Sequence, residues 1–395
     1  MRNYRIILSG GGTGGHLFPA LSIANEIKHR FPEADILFVG AENRMEMERV
    51  PAAGYRIIGL PVTGFNRKNL LKNVIVMVRL MKSLRIAKRI VRDFKPDIAI
   101  GVGGYASGPT LRMASSLHVP ILIQEQNSYA GLTNKLLGKH ARKICVAYKG
   151  MEKYFPEKKI VITGNPVRKE LELIAERQKE LVTTIEKPGE AFRYFDMEVG
   201  KPVVLILGGS LGARTINNSI LKGMKSLMDE GVQVIWQTGR KDNYELCSSF
   251  SDTEKMTCQR SLSSGNNYES GITNRKVWCA EFIIRMDYAY TVADLVVSRA
   301  GAGTLSELCL LKKATLLVPS PNVAEDHQTK NARTLSEKNA AVLIPDREAE
   351  EKLVPTVIEL LKNNERLRAL SDHIALFAQY DSTKRIVDEV FKIIA

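Results

Sequence analysis

No uninterrupted apolar run reaches the length of about 18 residues that a bilayer-crossing helix needs, which excludes a membrane-spanning segment. The N-terminal "MRNYRIILSGGG" enters a strand at once. It carries neither the long apolar region nor the small-residue cleavage site of a signal peptide, so no secretory leader is expected. Cysteine is sparse. The five (Cys145, Cys247, Cys258, Cys279, Cys309) are odd in number and lack CxxC or Cys/His spacing. They read as free thiols of a reducing cytoplasm, and support neither a disulfide framework nor a zinc site. Acidic residues are in deficit, 43 against 57 Lys and Arg, a net charge of +14. Such a balance suits a phosphate-rich partner: nucleic acid, an anionic membrane or a pyrophosphate ligand. What is present is a chain of 395 residues, 44% hydrophobic and 25% charged, long enough for two domains with separate cores.

The excess charge is concentrated. Residues 67–95 hold ten Lys or Arg and a single acid, Asp93, with Leu70, Val74, Met77, Leu80, Met81 and Leu84 at helical intervals. One reading is a helix with an inward apolar stripe and a solvated basic face. The other leaves part of the apolar surface exposed to rest on anionic lipid, rimmed by Lys68, Lys72, Arg79, Lys82 and Arg85. No stacking aromatics accompany the basic residues, which speaks against single-stranded nucleic acid. The expected partner is a membrane surface.

Strand-like and helical patterns alternate along the chain. "YRIILS" precedes a glycine turn, and then Leu17, Ala20, Leu21, Ala24 and Ile27 share a helix face, with Pro19 placed in the opening turn. "ADILFVG", "DIAIGV", "VPILIQE" and "KICVAY" read as strands buried on both faces. The order restarts at "KPVVLILGGSLGARTINNSILKGM" and continues through "VQVIWQTG", "VWCAEFI", "ADLVVSRAGAGTLSEL" and "ATLLVPS". This predicts an α/β protein of two Rossmann-like, doubly wound parallel-sheet domains separated by a cleft. The junction is expected near "VITGNPVRKEL", residues 161–171. The domains are then 1–166, with a returning C-terminal helix at about 381–395, and 167–380. Residues 172–200 and the polar stretch 241–276 read as surface elaborations without chemistry.

The turn "ILSGGGTGGHLFPA" has dinucleotide spacing at Gly10, Gly12 and Gly15, and Glu42 after the second strand is a candidate for the ribose hydroxyls. Three features weigh against a nicotinamide enzyme. The turn carries five glycines and closes on His16. The second half has its own turn, Gly208-Gly209-Ser210-Leu211-Gly212, without that spacing. A third turn, "GVGGYASGP", has the same strand-to-helix setting. Several helix N-termini with unpaired amides suit a diphosphate and an activated sugar.

"GGGTGGHLFPA", "GVGGYASGP", "QEQNSYAGLTNK", "GNPVR", "GGSLGA", "SRAGAGTLSEL" and "AEDHQTKNA" stand in order over nearly the whole chain, the two elaborations excepted. This set resembles the MurG family, bacterial N-acetylglucosaminyltransferases that convert lipid I to lipid II in peptidoglycan synthesis. The resemblance implies a GT-B fold with an N-terminal acceptor domain and a C-terminal nucleotide-sugar domain. It implies UDP-N-acetylglucosamine and lipid I as substrates, and transfer with inversion to the muramyl 4-hydroxyl. A peripheral position on the cytoplasmic face of the inner membrane and other cell-wall enzymes as partners are further implications. No DxD motif with metal-ligand neighbours is evident, so no metal and no cofactor are expected. Related enzymes of the same fold, a diacylglycerol glycosyltransferase or a UDP-N-acetylglucosamine 2-epimerase, are the nearest rival readings. The basic-apolar stretch speaks against an epimerase, which needs no lipid acceptor.

Two residues compete for the general base. His16 lies at a helix start, which disfavours imidazolium and keeps the ring able to take a proton. Glu125 of "QEQN" follows an apolar strand, and its plainer reading is a partner for nearby amides. By position in the matching motifs, Thr13, Gly14, Gly15 and Asn127 are implied donor contacts. Arg168 and Ser210 are implied to meet the diphosphate, where guanidinium and hydroxyl both make chemical sense. Ile283 resembles the residue whose backbone reads uracil. Ala302, Gly303, Thr304, Leu305, Ser306 and Glu307 begin a helix from which Glu307 would hold the ribose, and Gln328 would reach the sugar hydroxyls. Tyr105 and Asn134 fall on the acceptor side. Gly303 departs from relatives that carry a bulkier residue there, and the insertion before "VWCAEFI" is close in sequence to the predicted uracil side.

Overall fold

Short runs of Ile, Leu and Val bounded by glycine or proline turns form strands buried on both faces, a pattern that requires helices on either side of a parallel sheet. The computed structural model describes residues 3–12, 14–64, 72–180, 189–209, 212–239, 272–274, 277–323 and 326–394. The chain divides into two compact units: residues 1–169 with 379–395, and residues 170–378. The division therefore falls a few residues from the sequence boundaries at 166 and 380.

In the first unit β1 (Arg5–Ser9), β2 (Asp35–Ala41), β3 (Arg56–Leu60), β4 (Ile98–Gly101), β5 (Ile121–Glu125), β6 (Lys143–Val146) and β7 (Ile160–Ile162) form one sheet. All pairings are parallel, in the order β3-β2-β1-β4-β5-β6-β7. The connecting helices include α1 (Gly14–Arg30), α2 (Glu46–Ala52), α3 (Lys72–Phe94), α4 (Ser107–Ser116) and α5 (Leu132–Gly138). The winding reverses between β1 and β4, so α1 and α4, which follow these two strands, pass to opposite faces of the sheet and the crevice lies at the carboxyl ends of the strands.

The second unit begins with α6 (Lys169–Glu180) and α7 (Gly189–Tyr194), then β8 (Val203–Leu207), α8 (Arg214–Asp229), β9 (Gln233–Gln237), β10 (Ile272–Asn274) and β11 (Val277–Ala280). It continues through α9 (Met286–Val292), β12 (Leu295–Ser298), α10 (Ala302–Leu310), β13 (Thr315–Leu317), α11 (His327–Ser336), β14 (Val342–Leu343), α12 (Ala349–Lys362) and α13 (Asn364–Ala375). Its sheet runs β10-β11-β9-β8-β12-β13-β14, with the edge strand β10 antiparallel. The reversal lies between β8 and β12, the counterpart of β1 and β4.

The last helix, α14 (Ser382–Ile394), belongs to the first unit. Ile386, Val387 and Val390 are fully buried in one cluster with Leu17, Ile23 and Ile27 of α1. Arg30 pairs with Asp388 at 2.5 Å, and Tyr4, Phe31 and Phe391 stack edge to face and tilted around the helix end. Gly164, at φ +83°, allows the close approach: a Cβ there would lie 2.3 Å from Ser382 Oγ.

Several details differ from the sequence reading. Pro19 lies in the second turn of α1. Lacking an N–H, it removes the bond that the Gly15 carbonyl would otherwise accept. Ile23 joins the buried face and Leu21 is only half-buried, because helical phase rather than hydrophobicity decides which side faces the sheet. Ile160–Ile162, overlapping the start of the expected junction, is an edge strand. Residues 189–197 are packed, not an elaboration: Ala191, Phe192 and Phe195 are buried, and Phe195 meets Trp278 edge to face at 4.9 Å. Most of 241–276 lies outside the described residues.

In α3 the buried stripe is Val76, Ser83, Ala87, Ile90, Val91 and Phe94. Of the six apolar positions singled out, Leu80 and Leu84 are half-buried, whereas Val74, Met77 and Met81 are exposed, as are Ile75 and Val78. Arg79, Lys82 and Arg85 are exposed along the same stretch. Lys68 and Leu70 lie outside the described residues, as does the side chain of Lys72. Among the described residues no helix is long and apolar enough to cross a membrane.

Among the described residues Cys145, Cys279 and Cys309 are buried and none is in a disulfide. Burial pushes the Cys145 and Cys309 thiols up to about 12, so they stay protonated through neutral pH. Replacing Ile386 by alanine removes a fully buried side chain from the contact of α14 with α1. It is expected to destabilise the first unit by about 2–5 kcal/mol, read from urea unfolding.

Candidate active site

At the reversal in the first unit, the chain leaves β1 through Gly10–Gly12 into α1, and leaves β4 through Gly103 and Gly104 into α4. Gly12, Gly103 and Gly104 have φ of +88°, +96° and +87°, a region that favours glycine. A Cβ on Gly104 would come within 2.4 Å of the Gly11 carbonyl oxygen, so the two turns meet backbone to backbone. Ser107, buried at the start of α4, places Oγ 2.6 Å from the Ser9 carbonyl oxygen and 2.9 Å from that of Gly103. His16, the third residue of α1, is half-buried with its ring against Gly103. A Cβ there would lie 2.5 Å from Cδ2 and 2.7 Å from Nε2.

Glu46, which the sequence reading missed, is fully buried at the start of α2. The Gly12 amide donates to both of its carboxylate oxygens (3.0 and 2.9 Å), and the Ala41 amide donates to Oε1 (3.0 Å). Glu42, the candidate ribose acid, is exposed. In a dinucleotide site the second glycine lets the backbone approach the pyrophosphate. Here that amide already holds a carboxylate, and a phosphate at the same place would meet like charge. The geometry weighs against the nicotinamide reading.

Glu125, at the end of β5 and buried, is surrounded by donors. Its Oε1 accepts from the Asn127 amide (3.1 Å) and Asn127 Nδ2 (3.3 Å), and its Oε2 from the Gly131 amide (3.0 Å) and Asn134 Nδ2 (2.9 Å). Both oxygens are engaged in shaping the loop into α5, which favours the structural role over that of a base. Asn134 is buried, and its Oδ1 has no partner. Gln124 Nε2 donates to Asn165 Oδ1, and Asn165 Nδ2 to the Gln126 carbonyl, both at 3.0 Å. These bonds anchor "GNPVR", and with it the half-buried Arg168, to the end of β5. Tyr105 is 52% exposed, its hydroxyl against Gly64.

In the second unit the turn after β8 also meets a glycine backbone, that of the turn after the neighbouring β9 and not of the one across the reversal. A Cβ on Gly239 would lie 2.1 Å from the Gly212 nitrogen. Ser210, like Thr13 in the first unit, lies outside the described residues. Ile283 is buried and its amide is already engaged, donating to Gln237 Oε1 (3.0 Å). At the start of α10 the amides of Ala302, Gly303 and Thr304 have no intrahelical acceptor. Leu305 does not join them: its side chain is fully buried and its amide donates to the Gly301 carbonyl (2.9 Å). Ser306 Oγ bonds the Ala302 carbonyl (3.0 Å). Glu307, nearly buried, accepts from the Tyr290 hydroxyl (2.9 Å). Gln328 Oε1 accepts from the Ser320 amide (2.8 Å). A Cβ at Gly303 would meet nothing within 4 Å, so a bulkier residue fits there. Arg299, also missed, bonds the Val318 (3.0 Å) and Pro319 (3.2 Å) carbonyls and pairs with Asp346, fixing the loops after β12 and β13.

Two family models match the chain: the glycosyltransferase family 28 N-terminal domain over residues 6–146 and the family 28 C-terminal domain over residues 203–386. The chain is a glycosyltransferase of family 28. A relative from Parabacteroides distasonis is 59% identical over 100% of this chain and 99% of its own length. One from Phocaeicola vulgatus is 53% identical over 99% and 96%. Both are named UDP-N-acetylglucosamine–N-acetylmuramyl-(pentapeptide) pyrophosphoryl-undecaprenol N-acetylglucosamine transferase. The crystal structure of Acinetobacter baumannii MurG aligns with a TM-score of 0.72 at 25% identity, covering 99% of this chain and 100% of that one. A UDP-N-acetylglucosamine 2-epimerase at 14% identity (TM-score 0.60, 99% and 96% covered) shares the fold. The GT-B architecture of family 28 therefore holds for this chain.

A methyl group at Gly103 would displace the His16 ring and strain the turn. Gly103→Ala is expected to cost about 1–3 kcal/mol of stability and to lower transferase kcat at least roughly tenfold. Urea unfolding and steady-state kinetics measure the two effects.

Proposed function

We propose that this chain transfers N-acetylglucosamine from UDP-N-acetylglucosamine to the muramyl 4-hydroxyl of lipid I, with inversion, forming lipid II. The observation that carries this reading is 59% identity, end to end, to a relative named for that transfer. The position of His16 against Gly103, where the first sheet reverses, supports it on physical grounds.

In this reading the second unit holds the donor. The first-turn amides of α10 (Ala302, Gly303, Thr304) and Ser210, together with Arg168 from the segment that leads into α6, offset the charge that grows on the departing diphosphate. Glu307 holds the ribose, the Ile283 carbonyl reads the base, and the Gln328 amide nitrogen binds a sugar hydroxyl. The first unit presents the acceptor: Tyr105 and Asn134 contact it, the unpartnered Asn134 Oδ1 being an acceptor for a ligand hydroxyl. Thr13, Gly14, Gly15 and Asn127 face the donor sugar. Neutral His16 takes the 4-hydroxyl proton as oxygen attacks the anomeric carbon and the bond to UDP breaks. Glu125 shapes the loop instead of acting as the base. No metal and no cofactor have a part in this scheme.

The enzyme works at the cytoplasmic face of the inner membrane, beside other cell-wall enzymes. Exposed Val74, Ile75, Met77, Val78 and Met81, bordered by Arg79, Lys82 and Arg85, support an anionic lipid surface as the contact. Nucleic acid is not the partner of this basic stretch.

Acceptor-dependent release of UDP tests the reaction. Release is expected only when a lipid I analogue is present, and His16→Ala should lower kcat about a hundredfold or more. Release without acceptor would point to epimerase-type chemistry instead. Reversing Arg79, Lys82 and Arg85 to glutamate should abolish pelleting with anionic vesicles while leaving turnover of a water-soluble acceptor unchanged. Undiminished pelleting would rule out this patch.

A further inference from the structure

The fully buried Glu46 has no part in the scheme above, yet it touches the turn that leads to His16. Its carboxylate carbon would lie 2.3 Å from a Cβ on Gly11 and its Cγ 2.6 Å from one on Gly40, so it fills the space between β2 and the glycine turn. Among the described residues no cation pairs with it. Burying a carboxylate without a counter-charge is costly unless backbone donors meet it. The donors here are the amides of Gly12 and Ala41. On its other side the same turn presses on Gly104, whose neighbour Gly103 bears the His16 ring.

We propose that Glu46 is a positioning residue for His16: its carboxylate occupies the Gly12 amide from inside the domain and fixes the turn that sets the first residues of α1 against Gly103. This rests on the reading of His16 as the base. The anion-binding amide of the first glycine turn is thus satisfied by the protein's own carboxylate, and the turn serves geometry instead of phosphate recognition. A glutamine of the same shape keeps one accepting oxygen but turns an NH₂ group toward the Gly12 N–H, which loosens the turn without emptying the space.

A double-mutant cycle on the full-length enzyme, assayed with a lipid I analogue, tests this. Glu46→Gln is expected to lower kcat roughly ten- to hundredfold and leave KM for UDP-N-acetylglucosamine within about twofold. Added to His16→Ala, it should change kcat by less than about twofold, because the group it positions is already gone. Glu46→Asp keeps the charge at shorter reach and should recover part of the loss. If Glu46→Gln does not fold, Glu46→Asp carries the same cycle. Parental kcat in Glu46→Gln, or an equal loss in both backgrounds, overturns this proposal alone. Parental kcat in His16→Ala overturns the base assignment and this proposal together.

Discussion

No side chain fits where the ends of β1 and β4 meet. The Gly11 carbonyl and the Gly104 backbone are closer than a Cβ would allow; in the second unit a similar close approach, Gly212 to Gly239, joins the turns after the neighbouring strands β8 and β9. The arrangement at the reversal of the first sheet follows from the Gly11–Gly104 contact. It forces positive φ at the turns, it aims the helix starts, and it gives His16 a bare backbone surface to rest on. Bulk at these positions would separate the strand ends that the crevice depends on.

The two units share a winding order but treat their backbone amides differently. In the first, carboxylates of the protein itself, Glu46 and Glu125, take the amides of Gly12, Ala41, Asn127 and Gly131. In the second, a neutral Gln237 takes the Ile283 amide, and the first-turn amides of α10 have no intrahelical acceptor. One sheet architecture thus carries a lobe in which buried carboxylates take loop amides and another in which a neutral amide side chain does so.

Much of this was legible in the sequence. Doubly buried strands announce a parallel sheet, and a restarted strand-turn-helix order announces a second one. Ordered motifs over the whole chain announced the family. The edge strands β3, β7 and β14 were not legible, since their burial is partial and their runs short. Nor was the inward face of α3: apolar residues lie on both sides of it, and only packing against α4 and β3 decides which side is buried. Glu46 was hidden because it is one of two acids in "NRMEMERV", a stretch that looks like any surface helix start. The acid nearer the strand end, Glu42, drew the ribose assignment while pointing to solvent. Ile283, Leu305 and Gln328 show a different limit. Motif position singled them out, but it could not tell which of their atoms the protein had already used.

The core of the first unit contains Ile386, Val387 and Val390, residues the ribosome adds after the whole of the second unit. The earlier-made lobe therefore emerges with a strip of α1 uncovered and cannot complete its interior until the final helix is released. The later-made lobe, contiguous in sequence, is able to close first. Order of manufacture and order of completion are reversed in this polypeptide, and the exposed strip on the waiting lobe is where a folding helper would find purchase.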